Sequence, residues 1–284
     1  MKLHENEIEL ISSNYQMALR KKPKMHIGFL VEESTPVNIA LVADTSYAVL
    51  ATVALHTIAK HSSRRLAFYI IDCGLKAGDK AQVRLSMAEK PNVSIVFISL
   101  GGESLAAPLG PAWAKLDLID LLPVKRVLCL DADILAKGDV GRLWDTDLGD
   151  KLLGACPDVG FPLGHEGVGR GPYFNKGVLL MDLIKIRRDV QKLKVVAKSI
   201  PFSKFLDQDA MNIHFRGAWK PLNLEWNAQG LGIYAKCRTA DKETVNLHEM
   251  ANPTLVHFTG PVSPSLPLVL NPYVQPCTSK HGGT

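Results

Sequence analysis

Short, almost wholly apolar runs alternate along this chain with longer stretches whose apolar residues recur at helical spacing. Residues 37–43, 66–72, 93–98 and 126–130 are of the first kind, each bounded by polar or turn-forming residues. Runs of this length, rich in Val, Ile and Leu, read as strands buried on both faces. Residues 47–60, 76–88 and 112–122 carry the wider spacing of helices. Strands alternating with helices predict an α/β fold, with one mostly parallel sheet, helices on both faces and right-handed crossovers. Beyond residue 133 the pattern loosens. Residues 152–156 and 177–181 read as strands, 182–199 as a basic helix, 207–216 as another helix and 254–256 as a late strand. The glycine-rich segment 160–171 predicts a mobile loop, because its glycines match neither GxxxxGK nor a GxGxxG opening a helix.

Three of the apolar runs end in an aspartate: Asp44, Asp72 and Asp131. Strand ends of a parallel sheet share one edge, and ligands bind there. The sharpest case is Val127-Leu128-Cys129-Leu130-Asp131-Ala132-Asp133. Side chains two apart on an extended chain face the same way, so Asp131 and Asp133 can converge on one cation. Oxygen ligands suit a hard ion such as Mn²⁺ or Mg²⁺. The pattern alone is weak: with 17 Asp in 284 residues, roughly one Asp-x-Asp arises by chance. Of the three copies, Asp145/Asp147 reads as a surface turn, and only Asp131/Asp133 follows a buried run.

Composition narrows the class. At 284 residues and 46% hydrophobic, the chain can bury one large core. No apolar stretch approaches the roughly 18 residues of a membrane span; the longest, 47–59, carries His56. The polar start shows no secretory leader. Cysteines 73, 129, 156, 237 and 277 have neither CxxC nor zinc spacing and read as reduced thiols. A cytoplasmic location is expected, with peripheral membrane association as the alternative. The net charge of +5 is mild, and Arg20-Lys21-Lys22-Pro23-Lys24 reads as a solvated linker; no nucleic-acid motif accompanies it. The expected organisation is a polar extension (1–36), a catalytic domain (37–265) and a proline-rich tail (266–284).

Several segments in order then resemble one family. They are Ala43-Asp44-Thr45-Ser46-Tyr47, Leu130-Asp131-Ala132-Asp133, Leu143-Trp144-Asp145-Thr146-Asp147-Leu148, Tyr173-Phe174-Asn175-Lys176-Gly177, Leu206-Asp207-Gln208-Asp209 and His257-Phe258-Thr259-Gly260. Together the chain resembles glycosyltransferase family 8, retaining enzymes of the GT-A fold, over residues 37 to 265. The resemblance implies a UDP-sugar donor, an acceptor hydroxyl and a divalent metal, usually Mn²⁺. It assigns Asp131, Asp133 and His257 as metal ligands, and Ala43, Asp44 and Tyr47 to the uracil end, with Ala132 between the metal ligands. Lys115, Asp158, Asn175, Asp207, Gln208 and Asp209 fall around the donor sugar. Gln208, Asp158 and Asp209 are the expected catalytic residues, and Gly260 and Ser263 fall near the diphosphate. A glutamine is a poor nucleophile beside the carboxylate of double-displacement glycosidases, which favours front-face attack by the acceptor.

Two departures qualify the resemblance. Ser263 stands where the family's HxxGxxK motif carries a lysine, and Lys115 stands where an arginine is usual; the latter keeps the charge but loses the bidentate fork. The alternative reading is a weak or inactive member that binds UDP or a glycan as an interaction module. A NAD-dependent oxidoreductase is disfavoured, since no glycine fingerprint follows the first strand. Glucose or galactose is the expected sugar.

Overall fold

The computed structural model describes residues 35–230 and 243–259. The expected extension, the tail, Gly260 and Ser263 fall outside these residues.

Strands β1 (Val37–Ala43), β2 (Leu66–Asp72), β3 (Val93–Ser99), β4 (Arg126–Leu130), β6 (Leu153–Pro157), β7 (Phe174–Asp182) and β8 (Trp219–Pro221) form one sheet in the order β3-β2-β1-β4-β7-β6-β8. The first four run parallel, β7 is antiparallel to β4 and β6, and β8 is parallel to β6. The α/β class and mostly parallel sheet follow the expectation. Ile39, Leu41, Phe68, Ile70, Leu128 and Leu130 pack one face against helix α1 (Ala48–His61) through Ala51, Leu55 and Ile58. Ala40, Ile71, Val127, Cys129, Leu179 and Met181 pack the other. Burial on both faces is why these strands read as continuous apolar runs.

Helix α2 (Ala77–Ser86) follows β2, and the short α3 (Ala106–Leu109) follows β3. Helix α4 (Ala114–Leu121) lies against the second face, and the turn α5 (Gly141–Trp144) precedes β6. The basic stretch expected as one helix divides into α6 (Leu183–Ile186) and α7 (Val190–Ser199). Asp182 caps the first of these by accepting the Lys185 N–H, and the chain turns at residues 187–189 before re-entering helix. Helix α8 (Asp207–His214) completes the layer.

Of a second, three-stranded sheet the sequence pattern shows only one strand, the late one read at 254–256. The sheet joins β5 (Ile134–Ala136), β10 (Leu255–His257) and β9 (Ala228–Gln229) in the order β5-β10-β9. The other two strands, of three and two residues, are too short to show a period. The glycine-rich segment is the loop expected, with one short turn at Glu166–Val168. It is closed by its own hydrogen bonds, Gly171 N–H to Leu163 O (3.0 Å) and Tyr173 N–H to Pro162 O (3.1 Å), and by the Arg216 guanidinium on Val168 O.

The edge where β1, β2 and β4 end carries Asp44, Asp72 and Asp131. Asp72 is spent on structure: it accepts the N–H groups of Gly74 and Leu75 and pairs with Lys80 at 2.5 Å. Helix α4 delivers Lys115 to the same edge, and its C-terminal carbonyls need partners. Arg187 supplies them, donating to the carbonyls of Ile119, Leu122 and Val124. Replacing Arg187 with Ala orphans these acceptors and should cost about 2–3 kcal/mol, lowering the thermal midpoint by roughly 4–12 °C. An unchanged melting curve would refute this account of α4.

Candidate active site

Strand β4 stops at Leu130, and the Asp131 N–H bonds to Gly177 O at 2.8 Å, fixing where the chain leaves the sheet. The β5–β10 ladder sets His257 opposite Ile134, and the Phe258 N–H bonds to Asp133 O at 3.1 Å. A residue 124 positions downstream of Asp133 is thereby brought beside it. His257 Nε2 lies 3.2 Å from Asp133 Oδ1 and 3.6 Å from Asp131 Oδ2. One ligand atom from each residue lies within 4.8 Å of the other two.

The surrounding amides decide which nitrogen of His257 faces the carboxylates. The Gly177 N–H can only donate, and it donates to Asn175 Oδ1 at 2.9 Å. Asn227 Nδ2 donates to the same oxygen at 2.9 Å, which leaves Asn227 Oδ1 to accept from His257 Nδ1 at 2.9 Å. With its proton on Nδ1, the neutral imidazole aims a lone pair at the two aspartates. That is the tautomer a metal ligand needs, held by an outer hydrogen bond of the usual kind. Two carboxylate oxygens and one imidazole nitrogen fit a divalent ion such as Mn²⁺. Gly177 is part of the arrangement, because a Cβ built there would overlap the His257 imidazole.

Two lysines offset the negative charge. Lys115 Nζ donates to Asp131 Oδ1 at 2.6 Å and to Lys176 O at 2.9 Å. Lys176 Nζ lies 3.0 Å from Asp207 Oδ2 and 4.0 Å from Asp131 Oδ1. Burial works against ionisation of Asp131, but the charges of Lys115 and Lys176 and the Lys115 hydrogen bond outweigh it and hold the carboxyl well below its usual range. Burial likewise opposes the charge on Lys176, and Asp131 and Asp207 overcome it, raising its pKa. Asp131 therefore presents Oδ2 to the His257 side while Oδ1 is engaged by a cation.

A second layer lies at the N-terminus of α8. Asp158 Oδ1 accepts the N–H groups of Gly160 and Phe161, both at 2.9 Å. Its Oδ2 accepts Asn175 Nδ2 at 3.2 Å and Gln208 Nε2 at 3.0 Å. Four donors saturate this carboxylate. Gln208 Oε1 accepts the Lys176 N–H at 3.1 Å. Leu206, just before Asp207-Gln208-Asp209, has φ +49°, a conformation a leucine rarely adopts; strain of this kind gathers at sites that must hold a side chain in place. Asp209 is fully buried behind this layer. Its Oδ1 takes the Tyr173 hydroxyl at 2.5 Å and His165 Nε2 at 2.8 Å, and its Oδ2 takes the Phe205 N–H at 2.9 Å. Asp209 thus fixes Tyr173, whose hydroxyl meets Gln208 Nε2 at 3.2 Å.

A cleft of about 280 Å³ opens over this floor, lined by Ala43, Asp44, Tyr47, Lys115, Asp131 and Lys176 among others. Ala132 and Asp133 also border it. Asp44 Oδ1 accepts the N–H of Tyr47 at 3.0 Å, so it caps the approach to α1 as well as facing the cleft. The Tyr47 ring is about half exposed at the rim.

Every described residue expected at the site thus lies in the cleft, the carboxylate cluster or the layer behind it. Lys176, Asn227, Tyr173 and His165 were not anticipated. Lys176 was hidden inside a strand-like motif. Asn227 precedes a two-residue strand, and only its alternation with Gln229 hinted at a shared face. The other Asp-x-Asp copy separates cleanly: Asp145 is exposed and paired with Arg64 at 2.5 Å.

The comparisons with known proteins agree with this geometry. The profile described as Glycosyl transferase family 8 matches residues 38–264. The chain is 28% identical over 262 residues to the probable galacturonosyltransferase-like 7 of Arabidopsis thaliana, covering 80% of this chain and 70% of that protein. It is 27% identical over 256 residues to the lipopolysaccharide 1,2-glucosyltransferase of Escherichia coli K12, covering 82% and 74%. The solved structure of the galactosyltransferase LgtC with donor and acceptor sugar analogues is similar at 30% identity and a TM-score of 0.67, covering 80% of this chain and 89% of that one. Fold and site define a glycosyltransferase of the GT-A type. The chain belongs to glycosyltransferase family 8 and is a hexosyltransferase.

The outer hydrogen bond on His257 gives a direct test. Asn227→Leu should weaken Mn²⁺ binding by about 10–100-fold, and Gly177→Ala should weaken it further by displacing the imidazole. Asp145→Asn should leave it unchanged. Calorimetric Mn²⁺ titration reads all three, and equal affinities throughout would remove His257 from the ligand set.

Proposed function

We propose that the protein transfers a hexose, glucose or galactose, from a UDP-sugar to an acceptor hydroxyl with retention of configuration. The transfer depends on a divalent metal held by Asp131, Asp133 and His257. The observation that carries this reading is the convergence of two carboxylates and the Nε2 side of the His257 imidazole beside the cleft of Asp44, Tyr47 and Lys115. When bound, the cation would take up negative charge developing on the diphosphate leaving group. Asp44 and Tyr47 suit the uracil, the carboxylate accepting the base N3–H and the ring offering a stacking face. Lys115 keeps Asp131 ionised and turned towards the metal position. Asn175 and Asp207 are the hydrogen-bonding groups for the sugar hydroxyls.

The hydrogen bonding around Asp158 and Gln208 bears on the mechanism. Asp158 has all its lone pairs engaged, and Gln208 Oε1 already accepts a backbone N–H. Neither is a free nucleophile. Front-face attack, with the departing diphosphate receiving the acceptor proton, requires no covalent enzyme intermediate. Gln208 would stabilise oxocarbenium character through its amide dipole. Asp158 fixes that amide from one side, and Asp209 supports it through Tyr173.

We assign the catalytic domain to residues 37–265, with 1–36 and 266–284 as extensions, and Gly260 and Ser263 to the diphosphate end. Among the described residues no helix is long and apolar enough to cross a membrane. We place the enzyme in the cytoplasm, where UDP-sugars are its donors.

Calorimetric titration with UDP should show binding in Mn²⁺ that EDTA abolishes, and Asp131→Ala or His257→Ala should remove it. Equal UDP binding with EDTA would refute metal dependence. Gln208→Ala should lower kcat on the order of tenfold to a thousandfold with UDP affinity unchanged, and undiminished turnover would end its catalytic role. Proton NMR of the newly formed linkage tests retention.

A further inference from the structure

Among the described residues bordering the cleft, the cationic side chains are Lys115 and Lys176, and they are held very differently. The Lys115 side chain is 2% exposed and locked by two short hydrogen bonds, one to Asp131 Oδ1 and one to Lys176 O. Two of its three N–H donors are therefore committed. The Lys176 side chain is 23% exposed. Its Nζ pairs closely with Asp207 at 3.0 Å and only loosely with Asp131 at 4.0 Å, too far for a hydrogen bond. A lysine stem has the reach and the rotatable donors to change partners.

The local charge balance shows what that freedom would serve. Asp44, Asp131 and Asp133 border the cleft and Asp207 pairs with Lys176, four negative charges against the two of Lys115 and Lys176. A divalent cation at Asp131, Asp133 and His257 would bring the cluster to neutrality. A nucleoside diphosphate entering the cleft then adds negative charge that Lys115, with two donors committed, meets with one N–H at most. The metal would also repel Lys176 from the Asp131 side. Its remaining neighbours would be Asp207 and the open cleft.

From this geometry we infer that Lys176 is a donor-binding residue, which turns its ammonium from Asp207 to the diphosphate of the bound nucleotide. The inference rests on the UDP-sugar reading above and adds to it the group that meets the phosphate charge. On release of the nucleotide the lysine returns to Asp207, so the buried carboxylate keeps a cationic partner in the empty site.

The test is UDP binding by calorimetry at saturating Mn²⁺, with Mn²⁺ affinity measured separately for each variant. Lys176→Met keeps the apolar stem and removes the charge. It should weaken UDP binding about tenfold to a hundredfold, as expected for one charge-assisted hydrogen bond, while Mn²⁺ affinity is retained or increased. Lys176→Arg should keep most of the UDP affinity. The double variant Lys176→Met with Asp207→Asn separates this role from a merely structural one, since it removes the unpaired buried carboxylate. If Lys176 meets the phosphate, the double variant stays as weak as the single. Recovery of wild-type affinity in the double variant, unchanged affinity in Lys176→Met, or a UDP loss that tracks a Mn²⁺ loss would each overturn the inference. Absence of UDP binding in the unmutated protein would overturn the donor reading itself, and is distinct from all of these.

Discussion

Four carboxylates, Asp131, Asp133, Asp158 and Asp207, meet where β4, β7 and α8 come together, and buried charge of one sign persists only where something answers it. The answers differ in kind. Asp158 is saturated by four N–H donors, two from the backbone and two from amide side chains. Asp207 is paired with Lys176, and one oxygen of Asp131 with Lys115. The other oxygen of Asp131 and that of Asp133 face the lone pair of His257, an arrangement that is repulsive until a cation or a proton enters. The site is thus built around a deficit of positive charge at the three groups that could hold a divalent metal.

Meeting that constraint recruits the rest of the fold. Helix α4 is buried along its length largely to bring Lys115 to the strand edge, and Arg187 secures its far end. Strand β7 runs antiparallel through an otherwise parallel region, and it carries Asn175, Lys176 and Gly177 past the end of β4. Gly177 leaves the space into which His257 packs, and Asn175 starts the amide chain that sets the histidine proton. The small second sheet then has a clear purpose. It holds residue 257 against residue 133, which no element of the main sheet could do.

The layer around Gln208 extends the same logic behind the carboxylate cluster. Leu206 accepts an unfavourable backbone conformation so that α8 begins with its three polar residues turned inward. Asp209, His165 and Tyr173 form a buried relay behind Gln208, tying the glycine-rich segment to the reacting centre. A segment that composition alone marks as loose is therefore attached, through His165, to the residues expected to act on the sugar.

How much of this was legible in the sequence follows from the range of each interaction. Buried parallel strands must be apolar on both faces, so β1, β2, β3 and β4 announce themselves. Two carboxylates two residues apart at the end of such a run announce a candidate cation site, and ordered motifs pointed to the family. The sequence could not show that Asp209 lies behind the site, that the glycine-rich segment is tied down, or that Lys176 reaches Asp207. Nor could it show that Asn227 orients His257, because these depend on contacts between residues 30 to 60 positions apart, with no local period to betray them. Of the second sheet only β10 was legible, as the late strand at 254–256; β5 and β9 are three and two residues long, and only pairing with distant segments makes them strands. Local pattern determined the scaffold and its chemistry-bearing edge; long-range packing decided which charges meet there and which atom of each is free.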